Sequence, residues 1–172
     1  MSRPPHRTQV AIRREYGLFA STYDRLRLTH PEIKLVGVDL TPQMLSIAQD
    51  RLTGRASLAV ADAQALPLQD DATDVLVSSS VFHYLPEPAQ TLAEWRRVLR
   101  PGGRLVITDW CRDFATIRLL DLVLRVVDRA HGRTWSTTEL HTLLTEAGFI
   151  DVDVRRHRQG WFWGMMAATA VG

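Results

Sequence analysis

Apolar residues in this chain gather in short unbroken runs that alternate with stretches of helical spacing. KLVGV, residues 34–38, is a run rich in β-branched residues that reads as a buried strand, and Thr41-Pro42 follows as an N-cap with proline at the first helical position. Met44, Leu45, Ile47, Ala48 and Leu52 then share one helical face. Residues 57–61 (SLAVA) and 74–79 (DVLVSS) predict two further strands. Neither alternates apolar with polar, which suits a parallel sheet buried on both faces.

Leu92, Trp95, Val98 and Leu99 predict a helix over 88–99, stopped by Pro101-Gly102-Gly103, a turn that leads into RLVITDW at 104–110. Residues 114–129 are amphipathic. Ser136 caps a further helix that runs to Ala147 with Gly148 as its stop, and strands are expected at 150–157 and about 162–170. Strand and helix alternate and the chain closes on a hairpin. The fold class expected is α/β, an open, doubly wound, mostly parallel sheet with a C-terminal antiparallel strand pair. Residues 1–29 do not fit the alternation and are expected to form a helical cover ahead of a domain over 30–172.

In such a sheet, ligands bind at the carboxyl ends of the strands. Asp39 ends the first run, where a carboxylate can accept hydrogen bonds from both hydroxyls of a ribose; it can equally serve the dipole of the helix that follows. Asp62, past the second strand, suits an exocyclic amine, with the Ala63 amide beside it as a donor; an Asx turn is the alternative. Ser79 ends the third strand among small residues that let a ligand approach the backbone, or bonds locally. His83, of a residue type that titrates near neutrality, and Tyr84 follow in VFHYL, and Asp109-Trp110 ends the next strand; these are the acid-base candidates. His83 can also simply cap or pack its turn. Trp161, Phe162 and Trp163 read as core of the last strand, and His131, His141 and His157, without metal-ligand spacing, as surface or structural residues.

The chain has 172 residues, 45% of them hydrophobic, enough for one domain with a substantial core. The formal net charge is +2, with Lys34 as the only lysine and arginines scattered along the chain. A nucleic-acid partner would call for a clustered basic face, so none is expected. The basic N-terminus has no apolar run behind it and the longest apolar stretch, 161–171, is too short to span a bilayer, so a cytoplasmic protein without a membrane partner is expected. Cys111, the single cysteine, reads as a small buried residue.

The segments LVGVDLTPQMLSIAQDRL, ADAQALPLQDDATDVLVSSSVFHYL and EWRRVLRPGGRLVITDW stand in an order and at a spacing that resemble the class I S-adenosylmethionine-dependent methyltransferases, in particular the small-molecule group with the ubiquinone and menaquinone methyltransferase pattern. With the final EAGF and its strand pair, the resemblance runs from His30 to the C-terminus. It implies S-adenosylmethionine as cofactor, with Asp39 on the ribose, Leu40 packed on the adenine, Asp62 and Ala63 at its polar edge, and Ser79 near the sulfonium. It implies a small-molecule methyl acceptor, and catalysis largely by positioning and desolvation.

The family pattern also carries a strand and a glycine-rich loop ahead of LVGVD, whose amides approach the methionine end of the cofactor. Here only Gly17 occurs among the first 36 residues. Either residues 9–12 form a degraded strand with 13–19 as its loop, or YGLFASTYDR is the family's lead-in, joined directly to the end of the first crossover helix. The second account is preferred because EYGLFASTYDR is similar to that lead-in. It would remove a central strand, expose apolar sheet edges and favour a homodimer. A non-catalytic relative acting as an interaction module is the rival function, and a nucleotide-binding oxidoreductase is a third, disfavoured by ADAQALP and the PGG turn.

Overall fold

The structure, a computed structural model, describes residues 34–52, 56–128 and 131–172. Both accounts of the glycine loop, and the cover segment 1–29, lie outside the described residues. The chain divides into two compact units between Asp62 and Ala63.

In the first unit, β1 (Leu35–Asp39) and β2 (Ala56–Val60) pair in parallel, with Leu35 opposite Ala56 and Asp39 opposite Val60, and α1 (Pro42–Leu52) connects them. The in-line register brings the carboxyl ends of both strands together. Asp39 Oδ1 accepts the Thr41 amide at 2.7 Å, and the Thr41 carbonyl in turn accepts the Met44 and Leu45 amides. The acid therefore fixes the strand-to-helix turn that Pro42 opens.

The second unit contains β3 (Thr73–Ser79), a 3-10 turn at Phe82–Tyr84, α2 (Pro88–Val98), β4 (Leu99–Trp110), α3 (Ala115–Val127), α4 (Thr137–Glu146), β5 (Ile150–Gln159) and β6 (Trp163–Val171). Its sheet has the order β3-β4-β6-β5. β3 and β4 run parallel around the α2 crossover, while β6 is antiparallel to both β4 and β5. Phe82, Leu92, Trp95, Leu105, Ile107, Leu140, Leu144 and Met166 form the core. Along β4 the buried positions alternate through Leu105, Ile107 and Asp109, so the two-residue period of the strand delivers a carboxylate into the core row at 0% exposure.

Two local expectations are corrected. Pro101-Gly102-Gly103 is not a turn between helix and strand: β4 begins at Leu99 and runs through it as a bulge. Gly102 has φ +76, and its amide bonds the Gly172 carbonyl at 3.0 Å, so pairing continues across the kink. Trp161 is not core. It is 83% exposed in the turn after Gly160 (φ +71), and β6 starts only at Trp163.

α4 starts as the Ser136 reading requires. Ser136 Oγ accepts the Glu139 amide at 3.1 Å while Glu139 Oε2 accepts the Ser136 amide at 2.8 Å, a reciprocal capping box. Burial raises the Glu139 carboxyl, but the Ser136 amide and hydroxyl and the Arg112 guanidinium outweigh it and hold the group below the ordinary glutamate range. Ser136→Ala is expected to cost about 1 kcal/mol in urea unfolding at pH 7. A carboxylate with a depressed folded value contributes fully above its unfolded value and loses that contribution as the pH falls through the folded one. The gap between variant and parent should therefore narrow in acid; a gap that widens would count against the capping assignment.

Candidate active site

The carboxyl end of β1 presents Asp39 with Oδ1 engaged by Thr41, while Oδ2 has no partner among the described residues. Leu40, the next residue, is 65% exposed, and Val60, opposite Asp39 in the ladder, is 59% exposed. An acceptor oxygen beside two uncovered apolar side chains is the chemistry that a nucleoside needs, with hydroxyls on one side and a flat base on the other. Asp62 lies two residues beyond the end of β2.

In the second unit, Ala63 opens a loop that α2 holds in place. The Trp95 indole N–H donates to the Ala63 carbonyl at 2.9 Å, Glu94 Oε1 accepts the Leu66 amide at 2.7 Å, and Arg97 donates to the Leu68 carbonyl at 2.9 Å. The hydrogen bond from Arg97 is the main reason the Glu94 carboxyl lies below its ordinary range. Ser79, at the end of β3, accepts from the Thr108 hydroxyl at 3.1 Å. Ser80 follows at φ +54, a left-handed conformation unusual for a side-chain-bearing residue, with its amide tied to the Thr108 carbonyl at 2.8 Å. This bend turns the chain into the 3-10 turn that carries His83 and Tyr84.

His83 is 1% exposed and clamped by Asp109 in two ways: Oδ1 lies 2.7 Å from the ring Nδ1, and Oδ2 accepts the His83 amide at 3.0 Å. Asp109 Oδ1 also accepts the Trp110 amide at 2.6 Å. An ionised carboxylate only accepts, so it selects the neutral tautomer with hydrogen on Nδ1 and leaves the Nε2 lone pair facing away from Asp109. Nε2 is buried without a partner. The ring stacks on Trp110 at 4.4 Å and 16°, and Tyr84, 43% exposed, lies 4.0 Å from it between centroids. His83 thus packs against Trp110 and is tied to β4. It is one half of a histidine–carboxylate pair, joined by the β4 residue proposed from sequence only as a separate candidate.

His131, expected at the surface or in a structural role, is the latter: it is 7% exposed, and its Nε2 lies 2.9 Å from Asp121 Oδ1, a pairing the sequence did not suggest. Asp121 also accepts the Thr134 amide at 2.8 Å and pairs with Arg125 through Oδ2, also at 2.8 Å. Burial raises the Asp121 carboxyl, yet these donors hold it below the ordinary aspartate range. The Gly132 and Arg133 amides both reach the His83 carbonyl, at 3.2 and 3.1 Å. A Cβ on Gly132 would lie 2.7 Å from that oxygen, so only glycine permits this approach. One signal stood in the sequence: Asp121 is the only acid in the helical run IRLLDLVL, residues 117–124. His141 and His157 are exposed. Cys111 is fully buried, with its thiol pushed up to about 11 mainly by burial. No metal-ligand cluster occurs, and no helix is long and apolar enough to cross a membrane, among the described residues.

Residues 16–107 match the family model described as a methyltransferase domain. An uncharacterized 37.1 kDa protein in transposon TN4556 of Streptomyces fradiae is 39% identical over 107 residues, which cover 60% of this chain and 30% of that protein. The malonyl-[acyl-carrier protein] O-methyltransferase of Hahella chejuensis is 36% identical over 99 residues, 57% of this chain and 34% of the relative. The chain thus matches about a third of the length of these two relatives. Among solved structures, a SAM-dependent methyltransferase of Thermotoga maritima superposes with a TM-score of 0.68 at 22% identity, covering 80% of this chain and 72% of that one. At that identity the likeness establishes a shared Rossmann-like methyltransferase fold.

Proposed function

Because the chain belongs to the S-adenosylmethionine-dependent methyltransferase family, we propose that it transfers a methyl group from S-adenosylmethionine to a small-molecule acceptor, with His83 receiving the acceptor's proton. The observation that carries this reading is the His83–Asp109 pair: a buried imidazole whose Nδ1 is held at 2.7 Å by a carboxylate and whose Nε2 has no partner.

When bound, S-adenosylmethionine supplies a methyl group on a positively charged sulfur, a leaving group that needs no acid to depart. The protein's own part is therefore to hold the acceptor in line, exclude water and accept one proton. Asp109 fixes the ring orientation and stabilises the imidazolium formed when Nε2 takes that proton. Tyr84, beside the His83 ring, would line the acceptor.

The residues present suit the cofactor. Asp39 Oδ2 would accept the ribose hydroxyls and Leu40 would cover the adenine. Asp62 and the Ala63 amide would read the adenine edge, and Ser79, next to the strained bend at Ser80, would line the sulfonium end.

Calorimetric titration with S-adenosylmethionine tests the reading. The parent chain is expected to bind, and Asp39→Ala to weaken binding by at least about tenfold, the loss of one charge-assisted hydrogen bond, with an unchanged circular dichroism spectrum. A folded parent chain that gives no heat at millimolar cofactor would overturn the reading in favour of a non-catalytic relative, and equal affinity in Asp39→Ala would remove the ribose role.

A further inference from the structure

Three arginines converge on one hollow of the second unit. Arg118, Leu122 and Arg125 recur at positions i, i+4 and i+7 of α3 and share one stripe of that helix, while Arg112 comes from the connection between β4 and α3. All four line a cavity of about 440 Å³. Asp113 and Asp121 line it too, but both carboxylates are bonded to the protein itself. Asp113 Oδ2 accepts the Thr137 amide and hydroxyl at 3.1 and 2.7 Å. Asp121 Oδ1 accepts the Thr134 amide and faces His131, and Oδ2 pairs with Arg125. The guanidiniums keep donors to spare. Arg112 bonds Glu139, and Arg125 bonds Asp121, through one nitrogen each, which leaves other N–H groups of both forks unused. Arg118 is exposed, and its side chain has no ion pair or hydrogen bond among the described residues. Ser136, in the same wall, caps the ten-residue helix α4, so the positive end of that dipole adds to the field. Like charges gathered this way repel one another until an anion enters.

We propose that this cavity is a binding site for a phosphate monoester, held by Arg112, Arg118 and Arg125. Three guanidinium forks match the three terminal oxygens and the double charge of such a group, whereas a lone carboxylate is satisfied by one fork. None of these arginines has a part in the cofactor and proton roles assigned above, so the site stands apart from the methyl-transfer reading. Two sources present the same chemistry: a soluble phosphate monoester and the headgroup of a phosphatidic acid. The second has support of its own. Next to the cavity, α3 bares Leu119, Leu122 and Val126 at 65, 64 and 82% exposure, a row at helical spacing that an acyl environment would cover.

Arg118→Gln is the informative variant, because it removes a charge from the cavity without breaking a side-chain bond among the described residues. Arg104→Gln is its control: Arg104 is exposed near the start of β4, and its loss changes the net charge equally. The full chain, without cofactor, is titrated with glycerol 3-phosphate by calorimetry and sedimented with phosphatidylcholine vesicles that contain or lack phosphatidic acid. Binding in at least one arm is expected, weakened about tenfold by Arg118→Gln and unchanged by Arg104→Gln. Heat with glycerol 3-phosphate but no vesicle binding assigns the site to soluble monoesters. Vesicle binding that requires phosphatidic acid, without heat from glycerol 3-phosphate, assigns it to the headgroup, and binding in both arms means that the phosphate alone is read. No binding in either arm, binding that survives Arg118→Gln, or equal losses in Arg118→Gln and Arg104→Gln overturns the proposal. Neither arm contains S-adenosylmethionine, so a chain that fails to bind the cofactor sinks the transferase reading and leaves this one to be decided by its own result.

Discussion

Asp109→Asn is expected to lower kcat/KM by about 10²- to 10⁴-fold, the range that a positioned general base contributes, on any acceptor the parent chain methylates. Asp109 Oδ1 accepts the Trp110 amide at 2.6 Å and faces His83 Nδ1 at 2.7 Å, while Oδ2 accepts the His83 amide at 3.0 Å. Asparagine has one oxygen for these two positions. With the oxygen at Oδ2, its NH₂ faces Nδ1 and drives the hydrogen onto Nε2, the atom needed to receive the acceptor's proton; with the oxygen at Oδ1, its NH₂ opposes the His83 amide and displaces the backbone that carries the ring. Binding of S-adenosylmethionine should be unchanged. Asp109→Ala separates chemistry from folding: it leaves His83 and both amides without a partner in a buried site, and breaking such a pair costs about 3 to 5 kcal/mol in urea unfolding. An Asp109→Asn enzyme within about threefold of the parent would end the case for His83 as base.

That pair shows where sequence legibility stops. Asp109 and His83 each stood out as chemistry at the carboxyl end of a strand, because apolar runs such as DVLVSS and RLVITDW mark those ends directly. Their partnership depends on the parallel register of β3 and β4 and on the bend at Ser80, and neither is written in any local pattern. His131 was read as surface or structural because its partner, Asp121, lies on α3, and only the backbone of residues 131–135 folding onto that helix brings them to 2.9 Å. Trp161 misled in the opposite sense. Its neighbours Phe162 and Trp163 prolong an apolar run, but Gly160 takes a positive φ and turns Trp161 out before β6 begins. Ser136, by contrast, was legible in full, since a capping box is a contact across three residues and needs no tertiary information.

Trp95→Ala is expected to remove about 3 to 5 kcal/mol, a large part of the stability of a domain this size. The indole is 2% exposed and its ring lies 5.8 Å from Phe82 between centroids, so truncation leaves a void that α2 and β4 cannot close without moving the 3-10 turn. The same side chain donates to the Ala63 carbonyl at 2.9 Å, which couples core packing to the loop proposed to read adenine. Trp95→Phe divides the two roles. Phenylalanine refills most of the space but has no donor, so the Ala63 carbonyl loses its partner at a cost of about 1 to 3 kcal/mol. Urea denaturation of both variants gives the two contributions, and calorimetry with S-adenosylmethionine shows whether they reach the site. If the hydrogen bond positions Ala63, Trp95→Phe weakens cofactor binding under conditions where the protein is fully folded; equal affinity would confine Trp95 to the core. A midpoint for Trp95→Ala within about 0.5 kcal/mol of the parent would mean that α2 is not the element that organises this unit.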